Sequence, residues 1–250
     1  SAEEPKAADQ PEGTDQPEDT EEPKAADQQE NAEESENTNR QESADRQPQP
    51  QQAAPTSVNG KGNGVFGNTI TVINNFADKV LKLTLRDVKI DVSGTGNPLY
   101  YDDKGNAALS VQGEGDVEIE LDGKNELKSG AHRAGLEKNT SEGTLTLKDD
   151  NKEAGSLTAT GGEYGAGIGG GDYDSGENIT ITGGTVTATG GEYGAGIGGG
   201  RDGSGKNITI TGGTVTATGG EDGAGIGGGA DGSGEDITIT GGTVNATGGH

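Results

Sequence analysis

A block of 29 residues, repeated almost letter for letter, restricts what this chain can fold into more than any other feature. The string TVTATGGEYGAGIGGG begins at Thr185, and close copies begin at Thr214 and Thr243, the last running to His250. Ile168, Ile197 and Ile226 form one column at that period, Ile181, Ile210 and Ile239 a second, and Leu157, Val186, Val215 and Val244 a third. Decayed sequence extends the columns backwards: Leu109 and Leu136 stand ahead of Ile168, Ile119 and Leu147 ahead of Ile181, and Leu127 ahead of Leu157. Spacings there run from 27 to 34 residues, so degenerate early turns lead into near-identical late ones as one continuous stack.

Within each repeat the pattern has period two, as in Ile179-Thr180-Ile181-Thr182 and Val186-Thr187-Ala188-Thr189, with Gly-Gly pairs between the runs. Such runs are short strands joined by tight turns. Each offers only two or three inward apolar residues, too few for a sheet of its own, and helical stripes of period 3.6 are absent. The runs must stack on their equivalents in the next repeat. The fold expected is all-β, a right-handed parallel β-helix of about 29 residues per coil. At about 4.8 Å per coil, five or so coils from Leu83 to Gly249 give a rod roughly 24 Å long. The segment Asn97 to Asn106 is expected to protrude as a loop, and the last coil, cut mid-repeat, to leave a sheet edge exposed, as if the protein were truncated there.

Ahead of the repeats the composition changes abruptly. Residues 1–57 hold 16 acidic and 4 basic side chains and no Val, Ile, Leu, Phe or Tyr, whereas 48 of the 49 glycines follow. A segment with so little to bury is expected to be a disordered acidic spacer, and residues 58–250 one domain, with irregular early coils over 65–155 and near-identical repeats over 156–250. A net charge of −25 without a basic cluster argues against nucleic acid. No apolar run approaches the ~18–20 residues of a membrane span, so membrane insertion is not expected. The absence of cysteine excludes disulfides, thiolate metal sites and a cysteine nucleophile.

Several residue groups are candidates for chemistry. Asp172-Tyr173-Asp174-Ser175-Gly176-Glu177 gathers three carboxylates in one turn, and Asp102 and Asp103 lie in the protruding loop. Calcium takes six or more oxygens, and Asp102, Asp103, Asp172, Asp174 and Glu177 are its candidate ligands. Tyr164 and Tyr193 stand one coil apart, and Tyr100 and Tyr101 sit on the loop; with Arg133 they are candidates for stacking on and hydrogen bonding to sugars. Tyrosines packing over glycine turns are the alternative for the Tyr164 pair. The G-x-G-x-x-G runs from Gly165, Gly194 and Gly223 lack the following helix that a dinucleotide site needs. Outward threonines such as Thr185, Thr187 and Thr189 lie over Thr214, Thr216 and Thr218, an array resembling ice-binding surfaces but also ordinary strand composition. Arg86, Asp87, His132, Arg133 and Glu137 are the sole plausible acid–base collection, and nothing in their spacing makes them converge.

The succession TLRDVKIDVSG at Thr84, AALSVQGEGDVEIELDGKNEL at Ala107, AGLEKN at Ala134 and GSLTATGGEYGAGIGGG at Gly155, followed by the NITITGGTVTATGG copies, resembles a known family. It is similar to bacterial surface carbohydrate-binding β-helix proteins of the clostridial cellulose- and pectin-binding type, related to polysaccharide lyases. That resemblance covers about residues 65–249. It implies a right-handed β-helix, bound calcium, an extracellular or cell-surface location and glycan binding, without implying lyase activity. The expectation is thus a secreted, noncatalytic, monomeric module for plant or host polysaccharide. A structural adhesin stalk and a calcium-dependent lyase are the alternatives.

Overall fold

The computed structural model describes residues 56–59, 65–139, 141–151 and 154–250, all within one compact unit, Gln52–His250. Of the spacer expected over residues 1–57, residues 1–55 lie outside the described residues. Strand β1 (Thr56–Asn59) pairs in parallel with β3, Thr56 opposite Leu83. Thr56 and Ser57, which composition assigns to the tail, therefore belong to the first ladder.

The first coil holds β2 (Ile70–Ile73), β3 (Leu81–Arg86) and β4 (Lys89–Asp91). The second holds β5 (Leu109–Gln112) and one long strand, β6 (Val117–Lys128), which turns a corner at Gly123, where φ is 64°. From there each coil repeats three strands: β7 (Leu136–Glu137), β8 (Leu145–Lys148) and β9 (Gly155–Thr160), then β10 (Ile168–Gly169), β11 (Gly176–Ile181) and β12 (Thr185–Thr189). They are followed by β13 (Ile197–Gly198), β14 (Gly205–Ile210) and β15 (Thr214–Thr218), and by β16 (Ile226–Gly227), β17 (Gly234–Ile239) and β18 (Thr243–Thr247). All pairings between these strands are parallel and join a strand to its equivalent one coil away. Because β6 pairs with both β8 and β9, two of the three ladders merge into a 12-stranded sheet; the third is a separate 6-stranded sheet. The chain is an all-β parallel solenoid, and among the described residues no helix is long and apolar enough to cross a membrane.

Alternation puts every second side chain inside, and the aliphatic columns fill the bore. Leu109, Leu136, Ile168 and Ile197 are in register, as are Ile119, Leu147, Ile181 and Ile210, each fully buried. The third column departs from expectation. Leu127 pairs with Ala159, and the residue opposite Leu157 is Asn125. Asn125 is 3% exposed, and its amide is satisfied: Oδ1 accepts from Val88 N at 2.9 Å, while Nδ2 donates to the carbonyls of Leu85, Asp122 and Ser156 at 3.1–3.2 Å. A polar side chain bonded on all sides can occupy a core position without the penalty of an unpaired one.

The turns explain the glycines and the repeated asparagines. A Cβ on Gly191 would lie 1.8 Å from the Gly162 carbonyl oxygen of the coil before it, so the coils close to contact only because this position has none. Asn178 and Asn207 adopt φ of 57° and 50°, the left-handed region that Asn tolerates, and Asn207 Nδ2 donates to Asn178 Oδ1 at 2.7 Å along the stack. In the last of the described coils Ile237 and Ile239 are exposed.

Candidate functional site

The turns on either side of the 6-stranded sheet carry the tyrosines. Tyr100 and Tyr101 lie between β4 and β5, His132 and Arg133 between β6 and β7, Tyr164 between β9 and β10, and Tyr173 between β10 and β11. Tyr193 precedes β13 and Arg201 follows it. Stacking at one coil per step aligns these turns into a flank, so residues remote in sequence meet. Tyr101 meets Tyr173 edge-on at 5.4 Å and His132 at 6.2 Å; His132 stacks on Tyr164 at 4.8 Å, and Tyr164 on Tyr193 at 5.2 Å. The Arg201 guanidinium lies 4.1 Å from the Tyr164 ring centre and 4.6 Å from that of Tyr173.

The protruding loop is built from local bonds. Asn97 Oδ1 accepts from Leu99 N, Tyr100 N donates to the Asn97 carbonyl, and Asp103 N to that of Tyr100, each at 3.0 Å. Gly96 and Gly105, at φ 78° and 71°, let its two ends meet. Loop and neighbouring turn enclose an open pocket of about 520 Å³ whose lining includes Thr95, Tyr101, Asp102, Asp103, Asn106 and Arg133. Lys104 Nζ sits 4.1 Å over the Tyr101 ring and donates to its hydroxyl at 2.8 Å.

Behind the pocket lies a buried charge network. The Asp172 carboxylate accepts from His132 Nδ1 at 2.7 Å and from Arg201 Nη2 at 3.0 Å; Arg201 Nε is also 2.9 Å from Oδ1, an ion contact outside good hydrogen-bond alignment. Arg133 Nη1 donates to Glu137 Oε1 at 3.2 Å. Burial pushes the Glu137 carboxyl above its ordinary range, opposed by Arg133 and reinforced by Asp174. Next to it, the Lys138 ammonium is enclosed by Ser141 O, Ser141 Oγ and Asn139 O at 2.7, 2.8 and 3.3 Å, and burial pushes its pKa down to about 8 against the pull of Glu177.

These placements sort the residues singled out in the sequence. Tyr101, Asp102, Asp103 and Arg133 line one pocket, while Tyr100 stands on the loop tip, 64% exposed. Tyr164 is flanked by His132 and Tyr193, with Arg201 over its ring, so the faces that sugar stacking requires are taken by protein neighbours. Tyr193 shares that stack, and its hydroxyl, bonded to Glu192, is pushed up to about 12. Asp172 points inward to His132 and Arg201, Glu177 faces Lys206 at 3.8 Å, and among the described residues no three acidic or imidazole side chains form a metal-binding group. Arg86 pairs with Asp122 and Arg133 with Glu137, so the acid–base collection divides into separate ion pairs.

Sequence reasoning missed Tyr173, Arg201 and Lys104 as parts of the flank. One signal was available: Tyr173 occupies the position held by Asp202 and Asp231 in the later coils, and all three adopt positive φ, 62°, 56° and 58°. Aspartate tolerates that backbone; a tyrosine there is strained, and bulky residues at such φ mark functional sites.

The model of a family described as a beta helix repeat matches residues 153–172, 179–201, 208–230 and 237–250, the late coils. No curated protein and no solved structure matches the chain.

Proposed function

We propose that this β-solenoid is a noncatalytic carbohydrate-binding protein acting outside the cell, with its site on the tyrosine flank. One observation carries the reading: the chain has five tyrosines, all on that flank, and Tyr100, Tyr101 and Tyr173 are 64%, 48% and 54% exposed beside an open polar pocket. Exposed rings offer flat faces to the C–H side of a sugar, and Asp102 and Asp103 accept from vicinal hydroxyls while Asn106 and Arg133 donate. Arg133 and Glu137, the acid–base candidates nearest the pocket, are held by each other. This favours binding over turnover.

The test is electrophoresis of the full chain through native gels cast with cellulosic, xylan, pectic or mucin polymers. Retardation by at least one polymer is expected, and Tyr100→Ala with Tyr101→Ala should weaken it about tenfold, some 1.4 kcal/mol. An unretarded, folded protein would overturn the reading. The stalk alternative draws on a different observation: the later coils replace Tyr193 by Asp222, Tyr173 by Asp231 and Arg201 by Ala230, so they add length to the rod and nothing to the flank.

A further inference from the structure

One turn recurs along the flank in successive coils, and its side chains change while its backbone does not. Asp172, Arg201 and Ala230 occupy one position of the 29-residue repeat, and Tyr173, Asp202 and Asp231 the next. Tyr173 N donates to the Arg201 carbonyl at 2.8 Å, and Arg201 N to that of Tyr164 at 2.9 Å. One coil later Asp202 N donates to the Ala230 carbonyl at 2.7 Å, and Ala230 N to that of Tyr193 at 2.8 Å. The later turn is bonded as the earlier one is, with alanine in place of arginine and aspartate in place of tyrosine. The backbone therefore closes without a guanidinium, and what the Arg201 side chain adds lies among side chains.

Its guanidinium lies 4.1 Å from the ring centre of Tyr164 and 4.6 Å from that of Tyr173, while Nε and Nη2 meet the buried Asp172 carboxylate at 2.9 and 3.0 Å. A planar guanidinium stacks on an aromatic face while its edge engages a carboxylate, a combination that an ammonium, a point charge, does not offer. The two ring partners differ. Tyr164 is packed between His132 and Tyr193, whereas Tyr173 is 54% exposed, on a backbone at φ 62°, with Tyr101 edge-on at 5.4 Å. One side of Arg201 is thus anchored on packed groups and the other reaches an exposed ring.

We infer that Arg201 is the positioning residue of the tyrosine flank: anchored on Asp172 and Tyr164, it holds the Tyr173 ring against Tyr101 and fixes the aromatic wall beside the pocket. The sugar meets the two rings and not the guanidinium. Rings already held in place leave less to be ordered when a ligand arrives, and affinity rises accordingly. The repeat itself keeps the two side chains together, since the coil that has Ala230 for Arg201 has Asp202 for Tyr173. As a statement about sugar binding this rests on the function proposed above, but the hold on the ring does not depend on any ligand.

The experiment is a double-mutant cycle on the full chain, pairing Arg201→Ala with Tyr173→Asn and reading affinity from retardation in native gels cast with cellulosic, xylan, pectic or mucin polymers. Arg201→Ala is expected to weaken binding about fivefold in the wild-type background and less than about twofold in the Tyr173→Asn background. Equal losses in both would mean that Arg201 acts on the sugar itself or through another group, and would overturn the role. Arg201→Lys keeps a charge opposite Asp172 without the plane and should lose as much as Arg201→Ala; wild-type binding by the lysine variant would also overturn it. The hold on the ring is read separately, by NMR with labelled tyrosine: the chain has five, and Tyr173→Asn assigns the Tyr173 signals. Through-space contact between the Tyr101 and Tyr173 rings is expected in the wild type and lost in both Arg201 variants, while that between Tyr164 and Tyr193 persists. Contact retained without the guanidinium overturns the positioning role whatever the polymers do. If Arg201→Ala does not fold, Arg201→Lys carries both measurements. Lost ring contact in the variants of a chain that binds no polymer would sustain the hold on Tyr173 and sink the carbohydrate site.

Discussion

Tyr173 and Lys138 each sit where a different residue would be more comfortable. Tyr173 holds φ at 62°, a conformation that costs a bulky residue of order 1–3 kcal/mol and an Asn much less. Tyr173→Asn is therefore expected to raise the unfolding free energy by about 1 kcal/mol, after losing the exposed contact with Arg201. The same change removes an exposed ring beside the pocket and should weaken polymer binding several-fold. Denaturant midpoints and affinity gels measure the two effects, and opposite signs are the expected mark of strain kept for function. Lys138 has its pKa depressed from 10.5 to about 8 by burial, so the folded state binds fewer protons than the unfolded state between those values. Stability from this group is thus lowest below about pH 8 and is expected to rise between about pH 8 and 10.5, by roughly 1–3 kcal/mol. The check is the difference between wild type and Lys138→Met, in which that alkaline rise should be missing.

At the scale of strands, period-two alternation was enough to find the runs and most of their register. Leu136 does stand between Leu109 and Ile168, and Leu147 between Ile119 and Ile181. The Leu157 column was read wrongly, because apolar identity was used to choose among irregular spacings and the inward residue there is polar. Asn125 faces the bore, and its four hydrogen bonds bind the corner between the two ladders that β6 joins. The hydrophobic rule thus predicts the wrong sign for a mutation. Asn125→Leu would continue the aliphatic column yet leave the Val88 amide and the Leu85 carbonyl without their side-chain partner. A loss of about 2–4 kcal/mol in chemical denaturation is expected, against the gain that area burial alone would suggest.

For the whole molecule, stability in such a stack is set by nearest-neighbour contacts between coils. Ile181 and Ile239 occupy the same position in the repeat, but Ile181 is fully buried between two coils and Ile239, in the last, is 50% exposed. Ile181→Ala is expected to cost about 2–5 kcal/mol and Ile239→Ala about 1 kcal/mol or less, read from unfolding curves. Amide exchange should grade in the same direction, faster at the exposed Ile239 than at the buried Ile181. The amino-acid sequence by itself determined the period, the parallel stacking and the identity of most core columns, because each depends on one-dimensional repetition that stacking turns directly into axial position. It also placed Tyr101, Asp102, Asp103 and Arg133 among the candidates by their types. Only the tertiary structure decided which faces were free: that the Tyr164 ring is enclosed, that Asp172 turns in to His132 and Arg201, and that Tyr173 turns out. The physical reason is that a repeat determines where along the rod a turn lies, whereas the inward or outward direction of each side chain depends on partners from other turns, as Asp172 depends on His132, 40 residues away.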